Sequence, residues 1–192
     1  MRRVVLLSLA LPACTAGLGG PTGVRGTDYR GDEIRRPAIT MHLGLGEGDF
    51  TKQERATLPE LYTVALLEAL NAEAVLPVDV RVGGGRLDRT AAVARAREVG
   101  ADQAVVVDAT VARRRRTYCR HTRRTFTTGI TEWVVRVDVV RASDRETRLL
   151  EPGIQTTDFR EDCDAPESSQ RLGPNDAIRA SVQKVVGTIL RP

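Results

Sequence analysis

Residues 104–107 are Ala-Val-Val-Val, and this uninterrupted apolar run narrows the choice of fold more than any other segment. Such a run within residues 103–110 is typical of a central strand that is covered on both faces of its sheet. In residues 133–141, by contrast, apolar side chains alternate with polar ones, which predicts a strand with one buried face. The chain is therefore expected to fold around a sheet that carries other layers.

The flanking segments predict the helices and the remaining strands. Strand periodicity predicts further strands over residues 38–45, 75–82 and, after a turn at residues 143–146, 147–157. Apolar stripes predict helices over residues 57–71, 88–100 and 175–190, beginning at a Thr57–Glu60 capping box, at Asp88, and at Asn175 or Asp176. Residues 159–173 are expected to be an acidic loop. The predicted order is β-α-β-α-β-β-β-α, an α/β (α+β) domain at residues 38–192 with a single open mixed sheet and helices packed on it.

The amino-terminal residues have the pattern of an export signal. Arg2 and Arg3 precede an apolar run, residues 4–11, that is too short to span a bilayer. The run ends in Leu11-Pro12-Ala13-Cys14, which resembles the lipobox of bacterial lipoproteins. The resemblance implies a signal peptide at residues 1–13 and acylation of Cys14, for example with palmitate. The alternative is an ordinary secreted protein cleaved near Ala16.

The residue after Cys14 and the segment that follows it bear on location. Because Thr15 is not the aspartate that retains many lipoproteins in the inner membrane, the resemblance implies the periplasmic face of the outer membrane. Residues 15–37 are rich in Gly, Thr and charge, so residues 14–37 are predicted to be the lipidated cysteine and a flexible tether. Removing Arg2 and Arg3 lowers the formal charge from +4 to +2, which gives no reason to expect nucleic-acid binding.

Two cysteines remain after Cys14, and we expect them to pair. Cys119 and Cys163 would lie in an oxidising compartment, where two leftover cysteines usually form a disulfide. A metal site is the alternative, because Cys119 and His121 would share one face of a strand. The only other histidine is His42, far away in sequence, so the disulfide is preferred and no metal is expected.

A basic stretch is the most distinctive feature of the folded part, and it is expected to run from the central strand into a long loop. Its members are Arg113, Arg114, Arg115, Arg116, Arg120, His121, Arg123 and Arg124. One hypothesis is an anion site for a glycan or lipid, since the arginine fork suits phosphates and carboxylates. The other is a structural clamp, in which the disulfide brings acidic residues Glu161, Asp162, Asp164 and Glu167 beside Arg116, Arg120 and Arg123.

No motif in the chain predicts catalysis. The sequence has no G-x-S-x-G elbow and no H-E-x-x-H pair, and Gly83-Gly84-Gly85 lacks both the dinucleotide spacing and the Walker lysine. We therefore expect a protein that is not an enzyme and has no cofactor. An uncharacterised periplasmic hydrolase is kept as a third hypothesis.

The element order supplies a second resemblance. Residues 100–108 and the strand at residues 134–140, together with a hairpin and a terminal helix, resemble the periplasmic lipoprotein modules of the curli-secretion (CsgG-like) and Tol amino-terminal type. The resemblance implies a non-catalytic binding or assembly module that docks on an envelope protein or forms homo-oligomers. The chain lacks the extra amphipathic strands of pore-forming relatives, so pore formation is not expected.

Overall fold

A six-stranded mixed sheet forms the centre of the computed structural model, which describes residues 23–83, 88–120 and 125–191. The strands are β1 (Val24–Arg25), β2 (Ala38–Leu45), β3 (Asp79–Gly83), β4 (Gln103–Tyr118), β5 (Phe126–Arg141) and β6 (Thr147–Thr157), with β7 (Phe159–Arg160) and β8 (Gln170–Arg171) forming a separate two-stranded sheet. The helices are α1 (Lys52–Ala72), α2 (Arg89–Glu98) and α3 (Pro174–Leu190), with short 3-10 turns at Gly31–Glu33 and Pro166–Ser168.

The order of strands in the main sheet is β1-β6-β5-β4-β2-β3. Strand β2 runs parallel to β3 and β4, while the other pairs are antiparallel. The predicted α/β class and the open mixed sheet with packed helices are therefore confirmed. Among the described residues, no helix combines the length and the apolar character that crossing a bilayer requires.

Strand β4 explains why its sequence is apolar without interruption. Val105 and Val107 pack into the larger core cluster, which also contains buried residues of α1 and α3. Ala104 and Val106 face the other way and pack into a smaller, alanine-rich cluster with α2. Successive residues of a strand point to opposite faces, so a strand with a helical layer on each side needs apolar residues at every position.

The basic stretch lies in a strand, and the prediction of a long loop is wrong for residues 113–118. Strands β4 and β5 pair from Gln103 and Arg141 to Tyr118 and Phe126, beyond the points where β2 and β6 end. We refer to residues 113–118 and 126–131 as the arm. Backbone hydrogen bonds with β5 hold this part of β4 extended, so it needs no alternation of apolar side chains to remain a strand.

The predicted tether is also wrong for residues 23–37, which belong to the fold. Val24 pairs with Leu150 of β6, and Tyr29 and Ile34 are buried in the larger core cluster. Asp28 lies 2.5 Å from an amino group of Arg148, which lowers the pKa of the Asp28 carboxyl. Only a few widely separated residues attach this segment to the rest of the fold. Contacts so sparse leave no periodic pattern in the sequence. Residues 14–22, including Cys14, lie outside the described residues.

Helix α1 begins earlier than its sequence pattern predicts. The capping box is formed by Thr51 and Glu54, not by Thr57: the Thr51 hydroxyl accepts from the Glu54 N–H at 3.2 Å, and the Thr51 N–H donates to the Glu54 carboxylate at 2.9 Å. Pro59 consequently lies inside the helix. Both segments match the Thr-x-x-Glu pattern, and the structure uses the first.

The other predicted boundaries are partly correct. Asp88 caps α2 by accepting a hydrogen bond from the Thr90 N–H at 2.8 Å, and Gly100 has a positive φ of 70° after the helix, both as predicted. Helix α3 begins at Pro174 after Gly173, and the predicted caps Asn175 and Asp176 lie inside it. Strand β3 is shorter than residues 75–82, and the expected loop at residues 159–173 contains β7 and β8.

Candidate functional site

An open groove of about 600 Å³ lies between the arm and the segment that precedes α1. We refer to it as the arginine groove. The charged side chains of Arg113, Arg115 and Arg171 line it with Asp49 and Thr131, and Arg114 also borders it. Strand alternation puts Arg113 and Arg115 on the same face as Val111, which is fully buried in the core. One face of β4 thus changes from apolar to cationic where it leaves the core.

A smaller and more enclosed cavity of about 300 Å³ adjoins the groove, and we refer to it as the recess. Its apolar lining includes Phe50, Leu58, Val111, Trp133 and Leu172. Arg113, Thr131 and Arg171 line both the recess and the arginine groove. The two guanidinium groups therefore stand at the junction between an apolar cavity and an open polar surface.

Arg113 is fixed in place by three neighbours. Its guanidinium donates hydrogen bonds to the Asp49 carbonyl and the Glu54 carboxylate, and it lies 4.7 Å from the centre of the Phe50 ring. Hydrogen bonds from the Thr51 N–H and from Arg113 lower the pKa of Glu54 to about 2. The capping box of α1 thus also positions a cationic side chain of the groove.

Arg171 reaches the same junction from β8. It donates to the Asp158 carboxylate at 3.1 Å and to the Gly129 carbonyl on the arm. Asp158 is buried and also accepts a hydrogen bond from the Thr131 N–H at 2.8 Å. Sequence reasoning missed Arg171, because no local motif marks it and only the chain reversal between β7 and β8 brings it to the arm.

Arg115 differs from its neighbours in the groove. Its side chain is exposed and makes no hydrogen bond or ion pair with any described residue. The Nε atoms of Arg113 and Arg171 likewise have no acceptor within the described part of the chain. The groove therefore offers guanidinium donors, two of them held in position, for which an anionic group is a fitting acceptor.

The opposite face of the arm uses its arginines differently. Arg116 lies 2.9 Å from the Glu132 carboxylate and Arg114 lies 3.6 Å from it, while Glu132 is only 4% exposed. The clamp hypothesis, which paired Arg116 with the acidic segment, is therefore wrong for this residue. Asp162 instead bonds within its own loop, to the backbone of Asp164 and to other groups there. The acidic partner of Arg116 is therefore Glu132 of β5, which lies on the same face of the strand as Ile130.

The disulfide between Cys119 and Cys163 is confirmed, with a Cα–Cα distance of 5.3 Å. It joins the end of β4 to the segment between β7 and β8. A Glu161 carboxylate oxygen lies within 4.8 Å of the two sulfur atoms, but sulfurs bonded to each other are not the thiolates that a metal site requires. Arg120 is exposed. His121, Arg123 and Arg124 lie outside the described residues, so their predicted roles stay predictions.

The carboxylates around the recess are engaged in structural contacts. Glu54 and Asp158 are each held by an arginine and by a backbone N–H. His42 and Asp108 form a pair at 2.9 Å, but strand alternation puts them on the α2 face of the sheet, away from the groove. The arrangement at the junction is therefore suited to holding an anion rather than to transferring a proton.

No family model and no curated protein matches the chain. Among solved structures, it is similar to a variant PelC dodecamer from Paraburkholderia phytofirmans, at 13% identity over 90% of this chain and 100% of that one, with a TM-score of 0.44. It is also similar to a neuraminyllactose-binding hemagglutinin homolog from Helicobacter pylori, at 11% identity over 88% and 91% of the two chains and a TM-score of 0.39. A minor lipoprotein from Acinetobacter baumannii matches at 12% identity over 79% and 89%, with a TM-score of 0.29. Likenesses this distant assign neither a family nor a function to the chain.

Proposed function

We propose that this chain is a lipid-anchored, non-catalytic binding module of the bacterial envelope, and that the arginine groove binds its anionic ligand. The observation that carries the ligand site is the arrangement of Arg113, Arg115 and Arg171 around one open groove. Two of these side chains are held in position by carboxylates, and the third is unpaired among the described residues. Binding then requires little ordering of long side chains, which is a large part of the cost of recognition by arginine.

Two features support the envelope location. Leu11-Pro12-Ala13-Cys14 resembles a lipobox, and the apolar run before it has the length of an export signal. The disulfide between Cys119 and Cys163 suits an oxidising compartment such as the periplasm. Export to the periplasmic face of the outer membrane, with acylation at Cys14, accounts for both features.

The anchor is tested by metabolic labelling with a palmitate analogue in cells that express the full chain. The wild-type protein is expected to be labelled and to fractionate with membranes, whereas Cys14→Ser is expected to lose the label and appear in the soluble periplasmic fraction. Thr15→Ser serves as the matched control, because it changes the residue next to Cys14 without touching the lipobox or the disulfide. An unlabelled wild-type protein in the cytosol would overturn the proposed location.

The groove is tested by calorimetric titration with tripolyphosphate at several salt concentrations. Arg115→Gln is expected to weaken binding by about threefold to tenfold and to reduce its salt dependence, because a single guanidinium contact to an anion is removed. Arg116→Gln is the matched control: it removes the same charge from the adjacent position on the opposite face of the arm, and Arg116 does not line the groove. Equal losses for the two variants would show non-specific attraction and contradict the proposed site.

A further inference from the structure

We propose that the ligand is an anionic amphiphile whose phosphate or carboxylate lies against Arg113, Arg115 and Arg171 while its apolar part fills the recess. This inference rests on the proposed function and specifies the chemistry of the ligand. It depends on the junction described above, where Arg113 and Arg171 line both the groove and the recess. A molecule with its charged group at that junction can reach both environments at once.

The recess provides the apolar half of such a site. Phe50 and Trp133 are 7% and 3% exposed, so they belong to the core as well as to the wall of the cavity. Leu58 and Leu172 are half-buried and complete the lining. At about 300 Å³ the cavity is at the lower end of the range for small-ligand sites, and apolar cavities take up apolar guests readily.

The start of α3 adds a second favourable element for the anionic group. Pro174 lines the recess and is the first residue of α3. Gly173, at the N-cap position, supplies no side chain, so the first N–H groups of the helix have no side-chain cap. The positive end of the helix dipole therefore lies beside the recess, with Asp176 in the first turn of the helix.

The charges at the junction favour one small anion over an extended polyanion. Glu54 and Asp158 lie beside Arg113 and Arg171, so a polymer with closely spaced negative groups would meet like charges as well as arginines. A fully hydrated glycan would also leave the apolar lining of the recess without a partner. A single headgroup with an apolar chain avoids both costs, because it places one charge at the arginines and buries its chain.

The inference is tested by titrating the protein with butyl, hexyl and octyl phosphate below their micellar concentrations. Trp133 is the only tryptophan of the chain and lines the recess, so its fluorescence reports directly on filling of the cavity. Affinity is expected to rise by roughly fourfold per added methylene until the recess is full. Inorganic phosphate should bind weakly and change the emission little, and octyl glucoside, which has the chain without the charge, should bind more weakly than octyl phosphate.

Octanoate is the comparison ligand that identifies the preferred headgroup. Octyl phosphate and octanoate have apolar chains of nearly equal length and differ mainly in the anion that they present to the arginines. The tighter of the two shows whether the site prefers a phosphate or a carboxylate. Arg115→Gln is expected to weaken both, since its guanidinium serves either anion.

Two variants fill the recess without changing its charge. Leu58→Phe and Leu172→Phe are expected to weaken octyl phosphate by about tenfold while leaving tripolyphosphate binding within about twofold, because only the apolar half of the site is occupied. Leu61→Phe is the matched control, since Leu61 is 43% exposed and lies outside the recess on the same helix as Leu58. Thermal unfolding checks that each variant is folded. The chain-length series uses the wild-type protein and does not depend on these variants.

The outcomes separate this inference from the proposed function. Affinity that does not depend on chain length, combined with a clear loss for Arg115→Gln, would overturn the amphiphile and leave the anion site intact. An absence of binding to both tripolyphosphate and octyl phosphate would overturn the anion site as well. Equal binding of octyl phosphate and octyl glucoside would show an apolar cavity that does not use the arginines.

Discussion

The two faces of the arm carry the same residue type in adjacent positions and use it for different purposes. Arg114 and Arg116 lie on the α2 side, where the buried Glu132 carboxylate is their common partner. Arg113 and Arg115 lie on the other side, where they line an open groove with Arg171. A run of four arginines in the sequence is therefore not one basic patch, since the alternation of a strand divides it into a pair that contacts Glu132 and a pair that lies on the groove side with Arg171.

The position of the acidic partner decides which arginines of the run are available to bind a ligand. Glu132 follows Ile130 by two residues in β5, so it lies on the same face of the sheet as Arg114 and Arg116. Its side chain is almost completely buried. On the groove side, Glu54 and Asp158 engage Arg113 and Arg171, but Arg115 has no counterpart among the described residues. Local charge balance along each face, and not the length of the run, distinguishes a binding surface from a structural one.

Removing the disulfide should have the largest effect, because both faces depend on an ordered arm. Cys119 and Cys163 close a loop with a sequence separation of 44. The double substitution Cys119→Ser/Cys163→Ser is expected to lower the free energy of unfolding by about 2–4 kcal/mol. Urea unfolding of the variant and of wild-type protein with and without reductant measures the change. A variant as stable as the oxidised wild-type protein would show that the arm is ordered without the bond.

Glu132→Gln should have the next largest effect and should be confined to the structural face. It removes the carboxylate that Arg114 and Arg116 share, while Arg114 keeps a longer contact of 3.9 Å to Glu47. Because both arginines are about half exposed, the expected loss is only about 1–2 kcal/mol. Urea unfolding gives the value, and a double-mutant cycle with Arg116→Gln isolates the pair. Octyl phosphate binding should be unchanged, and a large loss of binding would mean that the two faces are not independent.

The groove face should respond to acid through Glu54. Its pKa in the folded protein, about 2, is below the ordinary value of 4.5, so its contribution to stability is complete above pH 4.5 and is lost as the pH falls toward 2. Glu54→Gln should therefore unfold at a lower temperature than wild type at pH 7, and the gap should close between pH 4.5 and 2. A gap that is constant over this range would contradict the charged capping box.

Arg115→Gln should have the smallest effect on stability. An exposed side chain with no partner among the described residues contributes little, so the change in unfolding free energy is expected to stay within about 0.5 kcal/mol. Arg116→Gln, one position further along the strand, should cost more because it removes a contact to a buried carboxylate. Parallel urea unfolding of the two variants compares the faces directly, and a larger loss for Arg115→Gln would reverse the assignment.

The sequence predicts the covered parts of this fold better than the arm. Where a strand packs against helices, as in residues 104–107, burial requires apolar residues and the pattern is visible. Residues 113–118 are held by backbone pairing with β5, which requires no particular side chain, and by the disulfide at Cys119, just beyond them. Polar residues there resemble a loop, and the segment at residues 23–37 resembles a tether because its buried residues are few and widely spaced.

The candidate site was only half accessible to sequence reasoning. Arg113 and Arg115 belong to a conspicuous run, but Arg171 and the recess depend on contacts between distant segments. Trp133 could be recognised as part of an alternating strand, whereas nothing in its neighbourhood shows that Leu58 and Leu172 face it across a cavity. Such juxtapositions follow from the tertiary fold and not from spacing along the chain.

The docked strand β1 has a consequence for how the groove would meet its ligand. If Cys14 carries the lipid, residues 15–23 are all that separates it from Val24, and nine residues span at most ~32 Å. The domain would then sample a layer only a few nanometres deep above the bilayer. For any amphiphile concentrated at that surface, the effective concentration at the groove would far exceed its bulk value, and weak affinity would be enough for occupancy.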